Sequence, residues 1–509
     1  MSTIGNKIRE RLELKGKAKE IAEKRKRPIT KQKFQLKKLL LRAQFTQIGK
    51  DYNFAEMLTG KDSLMQFQER VPIFDYQSMY RKYWYRQLHG EMGVTWPGKT
   101  KYFALSSGTS EGASKYIPVT RAMLTSIKRA SLRQILSITK YDIPKNFHKT
   151  GMLAIGGSTH LNYNGRYFEG DLSGITAKGI PFWFQHFYKP GKAISQERDW
   201  NQKLKEMVDA APSWDIGIIV GVPAWVQILL EKIIARYQLN TIHDIWPNLM
   251  FYVHSGVSIA PYKKRFNELF GKPVYFKESY LASEGYIAFA GDKDSPNMRL
   301  LLNNSIFFEF VPFTEANFDQ NGNIMPQATA LAIDKVENNV EYAILLTTNA
   351  GAYRYLIGDT IKFINKDTAE IIITGRTKHY LSVVGEHLSL DNMSRAIELL
   401  QKELDCDINE FTVFAQKEGS LFSHHWYLGI DKNIDPKQAA HLIDNYLSTL
   451  NDDYRVERLE ALKNVYVDVV PEQKFIDYMA TKGKLGGANK FPRVLRGNQI
   501  EEWEAFVKE

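Results

Sequence analysis

Cysteine is nearly absent. Cys406 stands alone among 509 residues, so no intrachain disulfide can form. That usage suits a reducing compartment, and the cytoplasm is the expected location. Long apolar runs are missing too. No stretch reaches the ~18 to 20 residues that cross a bilayer. The basic start of the chain (MSTIGNKIRERLELKGKAKE) lacks the apolar centre of a secretory signal. There is no C-x-x-C and no H-E-x-x-H, so a dedicated zinc site is not expected. A Ser/His/Asp or cysteine-based catalytic triad is not expected either. His424 and His425 are adjacent in a strand-like run, so they should face opposite sides as structural or surface residues.

Acidic charge is scarce in one place only. The whole chain carries a net charge of +11, but residues 1–50 hold 16 Lys/Arg against 4 Glu. The rest is close to neutral. The excess is therefore local, and a general nucleic-acid partner is not expected. A solvated pair of helices on the globule is the plainer reading of this segment. An acidic partner or anionic lipid is the alternative, and its contact would be salt-sensitive.

What the chain does contain is an alternation of strand and helix patterns. Helices are expected over 7–27 and 31–48, divided by Pro28 and Thr30. Strands are expected at 101–105, 151–155, 215–220, 249–255, 272–280 and 305–311, with helices at 121–137 and 222–237. That order predicts an α/β fold with a largely parallel sheet. Runs at 342–350, 359–365 and 370–375 predict an antiparallel cluster, read as a small barrel or closing sheet. The texture then changes near 376–380. Beyond it, helices near 390–404 and 436–449 and strands near 411–416, 424–430 and 464–470 predict a smaller α+β unit. Three regions result: a basic segment over 1–50, a large domain over 51–377, and a C-terminal cap over 378–509.

Ser106-Ser107-Gly108-Thr109-Ser110-Glu111-Gly112 packs four hydroxyls and two glycines into seven positions. Such a turn offers hydroxyl and backbone N–H donors to phosphate oxygens, and Lys115 could add a point charge. A plain surface turn is the competing reading. Gly93 to Thr100 spells G-x-x-x-x-G-K-T. A phosphate loop needs a strand before it and a helix after it. Here the order looks reversed, and Pro97 removes a donor, so this match is set aside.

Five pieces occur in order: SSGTSEGASKYIP (106–118), YLASE (280–284), YRYLIGD (353–359), GRTKHYLSVVGEHLS (375–389) and NKFPR (489–493). Together they resemble the adenylate-forming enzymes. With FFEFVP (307–312) and AGAYRY (350–355), the chain more closely resembles the auxin-responsive Gretchen Hagen family of acyl acid–amido synthetases. The resemblance implies a large adenylate-forming domain with mixed sheets and a smaller cap joined by a hinge. It implies ATP and Mg²⁺, with a small carboxylic acid and an amino acid or other amine as substrates. Ser106, Ser107, Thr109, Ser110 and Lys115 would hold the phosphates, and Glu284 would place Mg²⁺. Ser255, Gly256, Val257, Tyr280 and Ser283 would line the nucleotide pocket. Asp359 would accept the ribose hydroxyls, Arg376 would reach ribose or phosphate, and Tyr353 and Arg354 would shape that loop. Lys490 would carry the adenylation chemistry from the cap, with Lys484 as a rival. His387 stands where many family members have a lysine. Ser131, Arg133, Gln134, Val222 and Trp225 are candidates for the acyl pocket. Two other readings stay open: an adenylate former that acylates coenzyme A, and an inactive nucleotide-binding regulator.

Overall fold

The computed structural model describes residues 27–508 except 107–114, 158, 178–184, 257–258, 260–261, 320–321, 379, 387, 407, 409 and 483–490. The helix expected over 7–27 therefore lies outside the described residues.

The next helix differs from expectation at both ends. Pro28 opens α1 (Pro28–Ala43) at the first turn, so the helix starts three residues before the expected 31 and includes Thr30. Proline suits that position, because its missing N–H is unpaired there anyway. The helix stops before Thr46, whose hydroxyl accepts the N–H of Gly49 and starts the short helix Gln47–Asp51. Nor is α1 merely laid on the surface. Gln32, Gln35, Leu36, Leu39, Leu40 and Ala43 are buried. The Gln32 amide donates to the carbonyls of Leu302 (2.9 Å) and Ile306 (3.1 Å) and accepts from Phe308 N–H (2.7 Å).

Next come β1 (Tyr102–Ser106), β2 (Lys115–Val119) and α2 (Arg121–Ser137), capped by the Thr120 hydroxyl. β1 and β2 form an antiparallel hairpin in a four-stranded sheet. The main sheet has eleven strands. Its parallel part holds β3 (Gly151–Ala154), the short strand Tyr188–Lys189, β4 (Ile216–Gly221), β5 (Phe251–His254) and β6 (Tyr275–Ala282). α3 (Pro223–Tyr237) follows β4 and packs on this part. The chain then reverses at Ser283–Glu284 into β7 (Gly285–Phe289), and from there all pairing is antiparallel. β8 (Met298–Leu300), β9 (Ile306–Pro312), β10 (Glu341–Thr348), β11 (Tyr355–Asn365) and β12 (Glu370–Arg376) complete the sheet. The expected antiparallel cluster is present, but it is not a barrel. β8 pairs with β12, Met298 opposite Ile371, which joins the cluster edge-on to the parallel strands.

Arg354 confirms a shaping role. It is 7% exposed and its partner Glu309 is 1% exposed, with Nε 3.1 Å from Oε2. Its Nη1 also donates to the carbonyls of Gln68 and Val71. This ties the segment before β11 to the N-terminal helices. Removing one member of a buried pair strands the other charge, at a cost of about 3–5 kcal/mol. Arg354→Ala should therefore lower the midpoint of urea unfolding by that equivalent. An unchanged midpoint would show that Glu309 finds another partner.

In the cap, β13 (Glu410–Glu418), β14 (Leu421–Gly429) and β15 (Leu462–Val470) form a three-stranded sheet. Helices Leu390–Leu404 and Pro436–Leu450 lie where the periodicity predicts them. Helices Asp452–Glu460, Glu472–Thr481 and Asn498–Lys508 were not anticipated. His424 and His425 do face opposite sides. His424 is buried with Nε2 2.9 Å from Glu386, and His425 sits 2.9 Å from Asp468. The cap rests on α3 and its neighbour Lys263–Leu269. Trp225 Nε1 donates to Glu457 (3.1 Å), Gln227 to Ser420 O (2.8 Å), and Tyr262 OH to Val383 O (2.8 Å).

Candidate active site

Parallel strands leave their carboxyl ends open, and ligands settle in the crevice there. Four separated segments meet at this end of the sheet. The first is the β1–β2 hairpin. Ser106 pairs with Lys115 across the ladder, so the two ends of the hydroxyl-rich run are held side by side. Ser107, Thr109 and Ser110 lie outside the described residues. The run Gly108–Gly112 also spells G-x-S-x-G, the hydrolase nucleophile spacing. That motif needs a strand–turn–helix setting, which the antiparallel hairpin does not supply. The Gly93–Thr100 match fails on structure too. Gly93 N–H is spent on Gly98 O (3.0 Å), Thr100 is buried against Gln87 (3.0 Å), and a strand follows.

The second segment is the β6–β7 turn. It places Glu284, which is buried, and half-buried Ser283. Burial pushes the Glu284 carboxyl up to about 7, while Lys115 pulls the other way. Burial pushes the Lys115 ammonium down to about 8, and Arg376 adds to that, while Glu284 and Asp359 oppose it. The Lys115 ammonium also lies 5.5 Å from the Tyr76 ring centre. Glu284 and Lys115 are therefore electrostatic partners, although 169 residues separate them in the chain.

The third segment is the β11–β12 pair. Asp359 and Arg376 are opposite each other in the ladder. Arg376 Nε donates to Asp359 Oδ1 at 2.8 Å, and Tyr280 OH donates to the other carboxylate oxygen. Each oxygen has a second lone pair, so the carboxylate can still accept from a cis-diol. Lys378 completes a set of three cations and two carboxylates around one point.

The fourth is the end of β5. Ser255 is half-buried and Gly256 is exposed. Gly256 has φ 87°, and a side chain there would approach only Val222 Cγ2, at 3.6 Å. The conformation favours glycine, and the open face lets a flat base approach the backbone. Val257 lies outside the described residues. His254, just before, is buried with Nδ1 unpartnered, and burial lowers its pKa to about 4. It is neutral in ordinary buffers. It faces Glu278 across the ladder.

The proposed acyl residues divide. α2 buries Met123, Ser126, Ile127 and Ala130, but residues 131–137 are all only half-buried. The second half of the helix therefore borders accessible space. Gln134 accepts from Tyr286 OH, and its Nε2 is buried without a partner. Arg133 donates to Asn303 (2.5 Å), and Ser131 lies on the same stretch. Val222 is beside Gly256. Trp225 is placed differently: it packs on Trp200 and donates to Glu457, so it belongs to the cap joint. Lys490, Lys484 and His387 lie outside the described residues.

Sequence comparison decides the family. The GH3 family N-terminal domain matches residues 17–209, its central domain 299–374 and its C-terminal domain 391–499. The chain belongs to the GH3 family. Its curated relatives include jasmonoyl–L-amino acid synthetase JAR4 of Nicotiana attenuata, 22% identical over 418 residues, covering 70% of this chain and 71% of that one. Indole-3-acetic acid-amido synthetase GH3.10 of Arabidopsis thaliana is 23% identical over 287 residues, covering 52% and 48%. Among solved structures, the GH3.15 acyl acid amido synthetase covers 94% of this chain and 93% of its own, with TM-score 0.56 and 16% identity. A 2-hydroxyisobutyryl-CoA ligase covers 93% and 91%, with TM-score 0.57 and 13% identity. The GH3 chain shares the fold of these two ligases. Within that fold, Tyr355, Tyr76 and Lys378 are site neighbours that sequence reasoning missed. Tyr355 interacts with Glu284; it belongs to YRYLIGD, but nothing in its spacing points at that glutamate.

Proposed function

We propose that this GH3-family ligase adenylates a small organic acid with ATP and then joins the acyl group to an amino acid. The observation that carries this reading is the convergence of Lys115, Glu284, Asp359 and Arg376 on one point at the open ends of the parallel strands. A surplus of cation around two carboxylates suits a polyphosphate that carries a divalent ion.

In the first half-reaction the acid's carboxylate oxygen bonds to the α-phosphorus of ATP. The bond to the bridging oxygen breaks, and pyrophosphate leaves with the electron pair. Lys115 and the hydroxyls of Ser106, Ser107, Thr109 and Ser110 hold the departing phosphates, which gain charge as they leave. Asp359 accepts from the ribose hydroxyls, and Arg376 holds that carboxylate in orientation. Gly256 leaves room for the base, and Ser255, Val257, Tyr280 and Ser283 wall the pocket. Lys490 neutralises the α-phosphate. In the second half-reaction the amine nitrogen bonds to the acyl carbonyl carbon. The carbon–oxygen bond to phosphate breaks, AMP departs, and the nitrogen sheds its extra protons. The mixed anhydride is reactive enough that no protein nucleophile is required.

Mg²⁺ fits the site as a companion of the triphosphate. It takes one or two carboxylates and keeps its other oxygen ligands from phosphate and water. Glu284 is the one carboxylate suitably placed, and Mg²⁺ would supply charge neutralisation there. No group of three His, Cys, Asp or Glu side chains exists among the described residues to hold a resident metal. No described helix is long and apolar enough to cross a membrane. The cytoplasm remains the proposed location.

The test is acid-dependent exchange of labelled pyrophosphate into ATP over a panel of aryl, indolyl and aliphatic acids. Exchange with at least one acid is expected, reduced by ~10² or more in Lys490→Ala. AMP release should then follow addition of an amino-acid mixture and not of coenzyme A. ATP binding without exchange for any acid would count against the reading. A fully active Lys490→Ala would move the role to Lys484.

A further inference from the structure

The outer face of α1 leaves large apolar side chains in solvent. Phe34 is 63% exposed and Leu41 57%. They are seven residues apart, two turns along one stripe of the helix. Phe45, just past the helix end, is 79% exposed. Met92, at 67%, is held beside that end, because Gln47 N–H donates to Gly93 O. Lys37, Lys38 and Arg42 are exposed on the flanks of the stripe. The inner face is fixed to the sheet through Gln32 and Gln35, so the stripe cannot turn inward.

We propose that this face of α1 seats on an anionic lipid surface, with the helix lying in the plane of the interface. Charge complementarity selects the occupant. The excess of 16 Lys/Arg over 4 Glu is concentrated in residues 1–50, while the rest of the chain has no basic excess. An apolar stripe with cations on both sides fits acyl chains below and headgroup phosphates at the sides. A nucleic acid would use the cations and leave Phe34, Leu41 and Phe45 in water. Each cation near such a surface strengthens binding roughly fivefold. Each inserted large apolar side chain adds roughly tenfold.

Vesicle flotation with the full chain tests this. Vesicles of phosphatidylcholine mixed with phosphatidylglycerol are compared with phosphatidylcholine alone, at low and high salt. The chain should float with the anionic vesicles only, and less at high salt. The variant Phe34→Gln/Leu41→Gln/Phe45→Gln should lose ~1,000-fold in partitioning, with its melting temperature and pyrophosphate exchange unchanged. Failure of the full chain to bind anionic vesicles would overturn the proposal. Undiminished binding of the variant would also overturn it and assign the effect to charge alone. A wild-type dimer that dissociates in the variant without lipid would make a second copy the occupant, and the lipid assignment would fall.

Discussion

Asp359→Ala should raise the KM for ATP in pyrophosphate exchange by ~10² to 10⁴, with a smaller fall in kcat. The carboxylate is buried and already holds Tyr280 and Arg376. Two charge-assisted bonds to a ribose diol are worth roughly 1.5–3 kcal/mol each, which gives that range. The substitution also strands a buried tyrosine hydroxyl, at about 1–3 kcal/mol of stability. Arg376 is partly exposed and can turn to solvent. Loss of fold can therefore be separated from loss of function by measuring ATP affinity below the variant's melting temperature. Asp359→Asn keeps one acceptor oxygen and loses the ion pair, so it should fall between. A KM within about twofold of wild type would remove Asp359 from the nucleotide site.

The second large effect concerns pH. The kcat/KM for ATP reports the free enzyme. It should rise to a narrow plateau near pH 7 to 8 and fall on both sides. Burial raises the Glu284 carboxyl from 4.5 to about 7, so below that pH it is neutral and cannot place a cation. Burial lowers the Lys115 ammonium from 10.5 to about 8, so above that pH it is neutral and loses its hold on phosphate. The two limbs belong to the pair and not to either residue alone. Glu284→Gln should abolish the acid limb and lower the plateau by ~10² or more. It should also move the alkaline limb to lower pH, because Glu284 is what holds the Lys115 proton on. Stability runs the opposite way to activity across the acid limb. A carboxyl whose folded pKa is raised loses the fold stability as pH climbs from its unfolded value through the folded one. Glu284→Gln should therefore flatten the fall in melting temperature between pH 5 and 7. An alkaline limb that stays in place would show that the two groups do not interact.

Much of this architecture was legible in the sequence. α2 was expected over 121–137 and occupies Arg121–Ser137, because Thr120 is a cap and the apolar spacing is helical throughout. The parallel strands were visible as β-branched runs between helices. The continuity of the sheet was not. The link between its halves is a three-residue strand, Met298–Leu300, too short to carry a period. The cap helices after residue 450 were missed for a related reason. Asp452–Glu460 is dominated by charge, and only Tyr454 and Glu457 are buried. At the site, Glu284 and Asp359 were readable from their motifs. Their environments were not. The pairing of Lys115 with Glu284 and of Asp359 with Tyr280 depends on strands distant in the chain. Trp225 was grouped with the acyl residues by closeness in sequence to Val222. Its ring instead packs on Trp200, and its Nε1 donates to Glu457, a partner 232 residues away in the chain.

An eleven-stranded sheet has two open edges, and an open edge invites pairing with another chain. At β9 that invitation is withdrawn without a further strand. The outward-facing positions are Ile306, Phe308, Phe310 and Pro312. The Gln32 amide occupies the carbonyl of Ile306 and the N–H of Phe308. Leu331 exchanges both backbone bonds with Phe310. Pro312 has no N–H to offer. One glutamine side chain thus stands in for a neighbouring strand. α1 is consequently also the guard of this stretch of edge: a chain trimmed past residue 43 would bare the Ile306 carbonyl and the Phe308 N–H to its own copies, while Phe310 stayed covered by Leu331.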